Sequence, residues 1–139
     1  MEYEDILARL APCGLDCGRC ADYTNGDIRA LCLKLNHLLG NYARVAAFKA
    51  EQSSEFASYA HFEKVLAAFS RGPCGGCRSA NVRCPIPCNA RTCHKEKGVD
   101  FCFQCEDYPC EDPTFGPIKE RWRQRNDRMK DVGVVQFYE

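Results

Sequence analysis

Apolar residues recur at helical spacing through two stretches of this chain and lose that spacing in a third. Ile28, Leu31, Cys32, Leu35, Leu38 and Leu39 fall on one face of a helix, which predicts an element over 28–39. Asp27 is its expected N-cap and Gly40 its C-cap. A second helical stretch runs from Tyr42 to Ala50. A third follows Ser53 or Ser54 as cap, with Phe56, Tyr59, Phe62, Val65, Leu66 and Phe69 on its face, and Gly72-Pro73 stops it. Before these, Ile6, Leu7 and Leu10 mark a short helix within 1–12. Pro12 ends it, because proline disfavours helix at the residue before it.

From 73 to 117 no apolar period lasts more than a turn, and proline and glycine are frequent. Such a segment buries little by itself and needs another source of order. Periodicity returns at 117–131, where Ile118, Trp122 and Met129 mark a packing face and Pro117 suits a first helical position. The predicted fold is mainly α: a single domain over 1–139, with a small helical core at 27–70 and a loop-rich, metal-knitted half.

The 139-residue chain contains 12 cysteines, and they account for the aperiodic part. Eight fall between Cys74 and Cys110, in the order Cys74-Gly-Gly-Cys77, Cys84, Cys88, Cys93-His94, Cys102-Phe-Gln-Cys105, Pro109-Cys110. Two thiolates separated by two residues can chelate one ion from a tight turn, which suits tetrahedral zinc at about 2.3 Å. Glycines at 75 and 76 are expected to let amide N–H groups turn inward toward sulfur. A further group, Cys13-Gly-Leu-Asp-Cys17-Gly-Arg-Cys20, stands near the start. Its C-x₃-C-x₂-C spacing is also that of radical S-adenosylmethionine enzymes. Those need a large barrel of alternating strands and helices, for which this chain has neither the length nor the pattern. A three-cysteine knot joined by a distant fourth thiol fits better.

Charge sharpens this picture. The 19 basic and 19 acidic residues balance overall, but Arg71, Arg78, Arg83, Arg91, Lys95 and Lys97 face only Glu96 between 71 and 97. Nearby cations favour thiolates. The sign reverses at Glu106, Asp107, Glu111 and Asp112. The N-terminus is charged and carries no apolar signal segment, and no apolar run reaches membrane-spanning length. A cytoplasmic, reducing location follows as the expectation, against a secreted disulfide scaffold.

Other residues carry weaker signals. Cys32 lies on the apolar face of the 28–39 helix and reads as a small buried hydrophobe. Cys84 is either a ligand or a spare thiol. His94 adjoins Cys93, and neighbours seldom ligate one ion comfortably, so it reads as a surface histidine. His37 and His61 are ordinary polar positions. Lys119, Arg121, Arg123, Arg125, Arg128 and Lys130 surround Trp122, which makes nucleic acid a possible partner. The acidic stretch 106–112 and the thiolates are the favoured partners of these cations instead. No Ser/His/Asp or Cys/His catalytic arrangement and no phosphate-cradling loop stands out.

The run Ala11-Pro-Cys13-Gly-Leu-Asp-Cys17-Gly-Arg-Cys20, the stretch Tyr59-x-x-Phe62-x-x-Val65-Leu66, the Cys74-Gly-Gly-Cys77-Arg78 knuckle and the stretch Cys93-His-Lys-Glu-Lys-Gly98-Val-Asp-Phe-Cys102-Phe-Gln-Cys105-x-x-Tyr108-Pro-Cys110 together resemble domain-of-unknown-function family 3795. The resemblance spans most of the chain. It implies a small cytoplasmic protein of bacteria or archaea, many of them anaerobes, that binds zinc and has no assigned activity. Matched position by position, it implies Cys13, Cys17, Cys20, Cys74, Cys77, Cys88, Cys93, Cys102, Cys105 and Cys110 as metal ligands, with Cys32 and Cys84 outside the pattern. Ten ligands exceed two four-cysteine sites, so two or more zinc ions are expected, with structural roles. Two alternatives remain: an iron–sulfur or redox module using residues 13–20, and an adaptor binding nucleic acid or protein through the basic C-terminal helix.

Overall fold

The computed structural model describes residues 1–111 and 113–139. Among these, seven α-helices and no strand are formed: α1 (Tyr3–Arg9), α2 (Asp27–Leu39), α3 (Ala43–Ala50), α4 (Tyr59–Arg71), α5 (Ala90–Glu96), α6 (Lys119–Val132) and α7 (Val134–Tyr138). The chain divides into two compact units, one of residues 1–18 with 74–139, the other of residues 19–73. No helix of the described residues is long and apolar enough to cross a membrane.

The 19–73 unit contains three helices where periodicity predicts them, but the third starts at Tyr59 and not after Ser53 or Ser54, because Ser54–Ser58 form a separate 3-10 turn. In it α4 packs against both α2 and α3. The helix α2 ends where expected, with Gly40 at φ +50°. It begins one residue early, with extended Gly26 as N-cap and no side-chain cap, because a turn that bonds Gly26 N–H to Tyr23 O (3.1 Å) sets the entry. Asp27 instead occupies the first turn, where a carboxylate suits the helix dipole. The predicted apolar face is not a core: no residue of α2 is buried, and Leu31 and Leu38 are 64% and 70% exposed. A single neighbouring helix covers only a narrow stripe of such a face. Tyr23, Ala46 and Leu66 are buried in this unit, beside the ring contacts of Tyr42 with Phe56 and Tyr59 (centroids 6.4 and 5.5 Å).

The unit of residues 1–18 and 74–139 joins the two ends of the chain. Ile6, Leu10, Phe101, Met129 and Val134 form its core, flanked by Tyr3, Leu7, Phe103, Phe137 and Tyr138. The last two come from α7, which sequence periodicity did not reveal. Its five residues, Val134–Tyr138, are too few to display a period. A second layer stacks Phe115 on Trp122 at 4.3 Å, with Tyr108 edge-on to Trp122 at 5.3 Å. Buried Asn126 ties the loop to α6: its Oδ1 accepts from Phe103 N–H and its Nδ2 donates to Trp122 O, both at 3.0 Å. Arg78 spans the loops, donating to Leu10 O and Asp100 O with its guanidinium 5.0 Å from the Phe101 ring centroid. The α-helix α6 starts at Lys119, two residues past Pro117, because Gly116 turns the chain at φ +45°.

Candidate metal centre

The cysteine loops are shaped by backbone bonds that aim amides at sulfur. In Cys74-Gly-Gly-Cys77 the Gly75 amide bonds Asn81 O at 2.8 Å instead of facing a thiol. The amide that reaches Cys74 Sγ is that of Arg83, at 3.3 Å. Within the predicted knuckle, the Cys77 amide faces the Cys17 sulfur. A Cβ at Gly75 would lie 2.5 Å from Ser79 Oγ and would push that side chain aside. Amides also favour the thiolate of Cys13 from Leu15, of Cys88 from Ala90 and of Cys17 from Cys77. N–H···S⁻ bonds of this kind stabilise ionised sulfur, the form a metal takes.

Two thiol pairs are formed between distant parts of the chain. Cys13 donates to Cys88, which raises the Cys13 thiol and lowers that of Cys88. Cys77 donates to Cys17, with the same division: Cys77 is raised and Cys17 lowered. The Cys84 sulfur is near enough to add to the rise at Cys77. Such pairs show how the fold brings the 13–17 loop to the 74–88 loops.

A third group gathers at α5. Cys93, Cys102, Cys105 and Cys110 line one cavity of about 30 Å³, together with His94 and Tyr108. Burial pushes the Cys102 thiol up to about 11, with the sulfurs of Cys110, Cys93 and Cys88 adding to the rise. Burial also raises Cys93, helped by Cys105 and Cys110. Trp122 Nε1 lies beside the Cys102 sulfur and favours its ionised form, yet has no hydrogen-bond partner of ordinary geometry among the described residues. At the rim Lys97 pairs with Asp107 at 2.6 Å.

His94 is not the surface residue that its place in the sequence suggests. It is 8% exposed, because α5 turns it inward. Its Nδ1 lies 3.3 Å from Val99 O, and its Nε2 is buried with no partner among the described residues. Burial and the charge of Arg78 lower its pKa, so the ring is neutral near pH 7. The sequence signal for this was slight: a histidine beside a cysteine, with the bonding carbonyl five residues on.

Cys20 is exposed and belongs to the 19–73 unit, as does Cys32, which is only partly buried and not the buried hydrophobe that its place on the apolar face suggests. Of the acidic stretch, Asp107 pairs with Lys97 and Glu111 with Lys119. Asp112 lies outside the described residues. On α6, Asp127 accepts from Tyr108 Oη at 2.7 Å, while Arg121, Arg128 and Lys130 are exposed.

The donor chemistry fits a thiophilic metal. Four cysteines line a cavity able to hold one water-sized occupant. Among the described residues no three His, Cys, Asp or Glu side chains are grouped so that they could hold a metal ion.

A family profile matches residues 9–114. The chain belongs to the family described as Protein of unknown function (DUF3795). The DUF3795 match takes in Cys13 through Cys110 and stops before α6, so every cysteine of the chain lies inside it. No curated protein and no solved structure matches.

Proposed function

We propose that this DUF3795 protein is a small zinc-binding protein whose metal sites are structural, and that the metal orders the 74–110 half. The observation that carries the reading is the single cavity shared by Cys93, Cys102, Cys105 and Cys110. One ion belongs there. A second draws on Cys13, Cys17, Cys74, Cys77 and Cys88, which the two thiol pairs and the Cys74 knuckle hold in one unit. Exposed Cys20 stands outside both sets in this proposal. Closed sulfur sites leave no open position for a reacting group, and zinc bound this way supplies folding free energy of about 10 kcal/mol or more. The charges agree with that role: Arg78 and Arg91 lie close enough to favour the thiolates of Cys17 and Cys88.

Metal analysis of protein purified without oxygen tests the reading. Colourless protein with about two zinc ions per chain supports it. Iron with acid-labile sulfide and visible absorption overturns it in favour of a cluster.

A further inference from the structure

We propose that the apolar face shared by α2 and α4 is a dimer interface, on which a second copy of this chain docks through the same face. The interface belongs to the 19–73 unit and lies beyond the zinc-binding reading.

The two helices run antiparallel. Thr24, just before α2, donates from Oγ1 to the Gly72 carbonyl, just after α4, at 2.6 Å. At the other end Tyr42, just after α2, has its ring 5.5 Å from that of Tyr59 at the start of α4. The seam between them follows from burial. Ile28, Cys32 and Leu39 on α2, and Tyr59, Glu63, Leu66 and Ser70 on α4, are its partly or fully buried positions. Leu31, Leu35 and Leu38 are turned by up to about a quarter turn from the α2 seam, and Phe62, Val65 and Phe69 by about a quarter turn from the α4 seam, in the same rotational sense. Between antiparallel helices the same sense brings both triplets to one side of the pair. Arg29, Lys64 and Arg71 fall on the other side by the same spacing. There too lies α3, whose alanines share a groove with Tyr59, Ala60 and Glu63.

Each of the six side chains leaves between 38% and 70% of its surface in water. Together they present on the order of 600 Å² of apolar area, the top of the range for a monomer's largest patch. Two such faces pressed together remove about 1,200 Å² from water, the size at which stable protein interfaces begin. A two-fold axis parallel to the helices sets each α2 antiparallel over the partner's α4, so that neighbouring helices of the resulting four-helix bundle all run antiparallel. In that register Leu31 meets the partner's Phe69, Leu35 the partner's Val65 and Leu38 the partner's Phe62. The charged residues of the two helices stay outside the contact: Asp27 and Lys34 stand at its edge, Glu63 in the seam, and the three basic residues on the far side. An uncharged face of this kind is complementary to its own copy, with no like charges brought together.

Sedimentation equilibrium of the full-length chain tests the interface, with protein purified without oxygen and kept in reductant so that no disulfide links copies. The expected result is a reversible monomer–dimer equilibrium in the micromolar range. Below that range Leu31 and Leu38 act on stability only as surface side chains. Leu38→Glu and Phe62→Lys each place a charge in the contact and are expected to weaken the dimer by about 10-fold or more. Far-ultraviolet circular dichroism should stay unchanged, because both positions are exposed in the monomer. An equimolar mixture of the two variants is expected to dimerise again, since the new carboxylate of one then faces the new ammonium of the other. A wild-type chain that remains monomeric at several hundred micromolar overturns the proposal. So does a dimer that neither variant weakens, or a mixture that stays monomeric. A monomer that cosediments with phosphatidylcholine vesicles would assign the face to a lipid surface and overturn the dimer as well.

Discussion

Single residues hold this structure where their chemistry is least replaceable. Gly14 is at φ +80°, and a Cβ there would lie 2.8 Å from Arg125 Cβ and 3.0 Å from Met129 Cε. A left-handed backbone costs alanine about 1–2 kcal/mol and the clash adds to it. Gly14→Ala is therefore expected to destabilise the protein by more than 1 kcal/mol, read as a lower urea midpoint. Asn126 satisfies two backbone groups from full burial. Asn126→Ala leaves the Phe103 amide unpaired and is expected to cost about 1–3 kcal/mol in the same measurement. Tyr108 gives a pH test. Burial, then its bond to Asp127, raises its pKa above the ordinary value of 10.0. The folded state thus holds this proton more tightly than the unfolded one. The contribution is complete below pH 10 and is lost as pH rises beyond it toward the folded value. Melting temperature should fall in that alkaline window, and more steeply for wild type than for Tyr108→Phe. A parallel decline in both proteins would show that Tyr108 is not responsible.

At the scale of elements, pattern and packing part company in α2. Its apolar period predicts the helix correctly, but the period reports a face and not what covers it. Leu31 and Leu38 remain largely exposed, whereas Leu66 on α4 is 4% exposed. Leu66→Ala is expected to cost about 2–5 kcal/mol. Leu31→Ser and Leu38→Ser should change stability by no more than about 0.5 kcal/mol, a contrast that thermal denaturation of the three variants measures directly. The short helix α5 shows the opposite case. Ala90–Glu96 lacks an apolar stripe, and its inward residues are Ala90 and His94. Burial of a histidine there follows from the bond to Val99 O and from the sulfur-lined cavity, neither of which is encoded locally.

For the whole molecule, chelation distinguishes the two units. If metal orders the cysteine loops, a strong chelator should abolish amide-exchange protection through 74–110 while much of the protection in 28–69 survives. Unchanged protection in both stretches after complete metal removal would rule out a structural metal. The sequence alone determined the mainly helical character, the bounds of α2 and α3 within a residue, the end but not the start of α4, the metal-type cysteine spacing and the family resemblance. These are legible because helical period, glycine stops and C-x-x-C turns are local properties. It did not determine which thiols meet. Cys13 finds Cys88 and Cys17 finds Cys77 across separations that no spacing rule reaches. Nor did it give the environment of His94, the source of the amide on Cys74, or the exposure of the α2 face. Each of those depends on what the rest of the chain places opposite a residue, and tertiary packing alone supplies that.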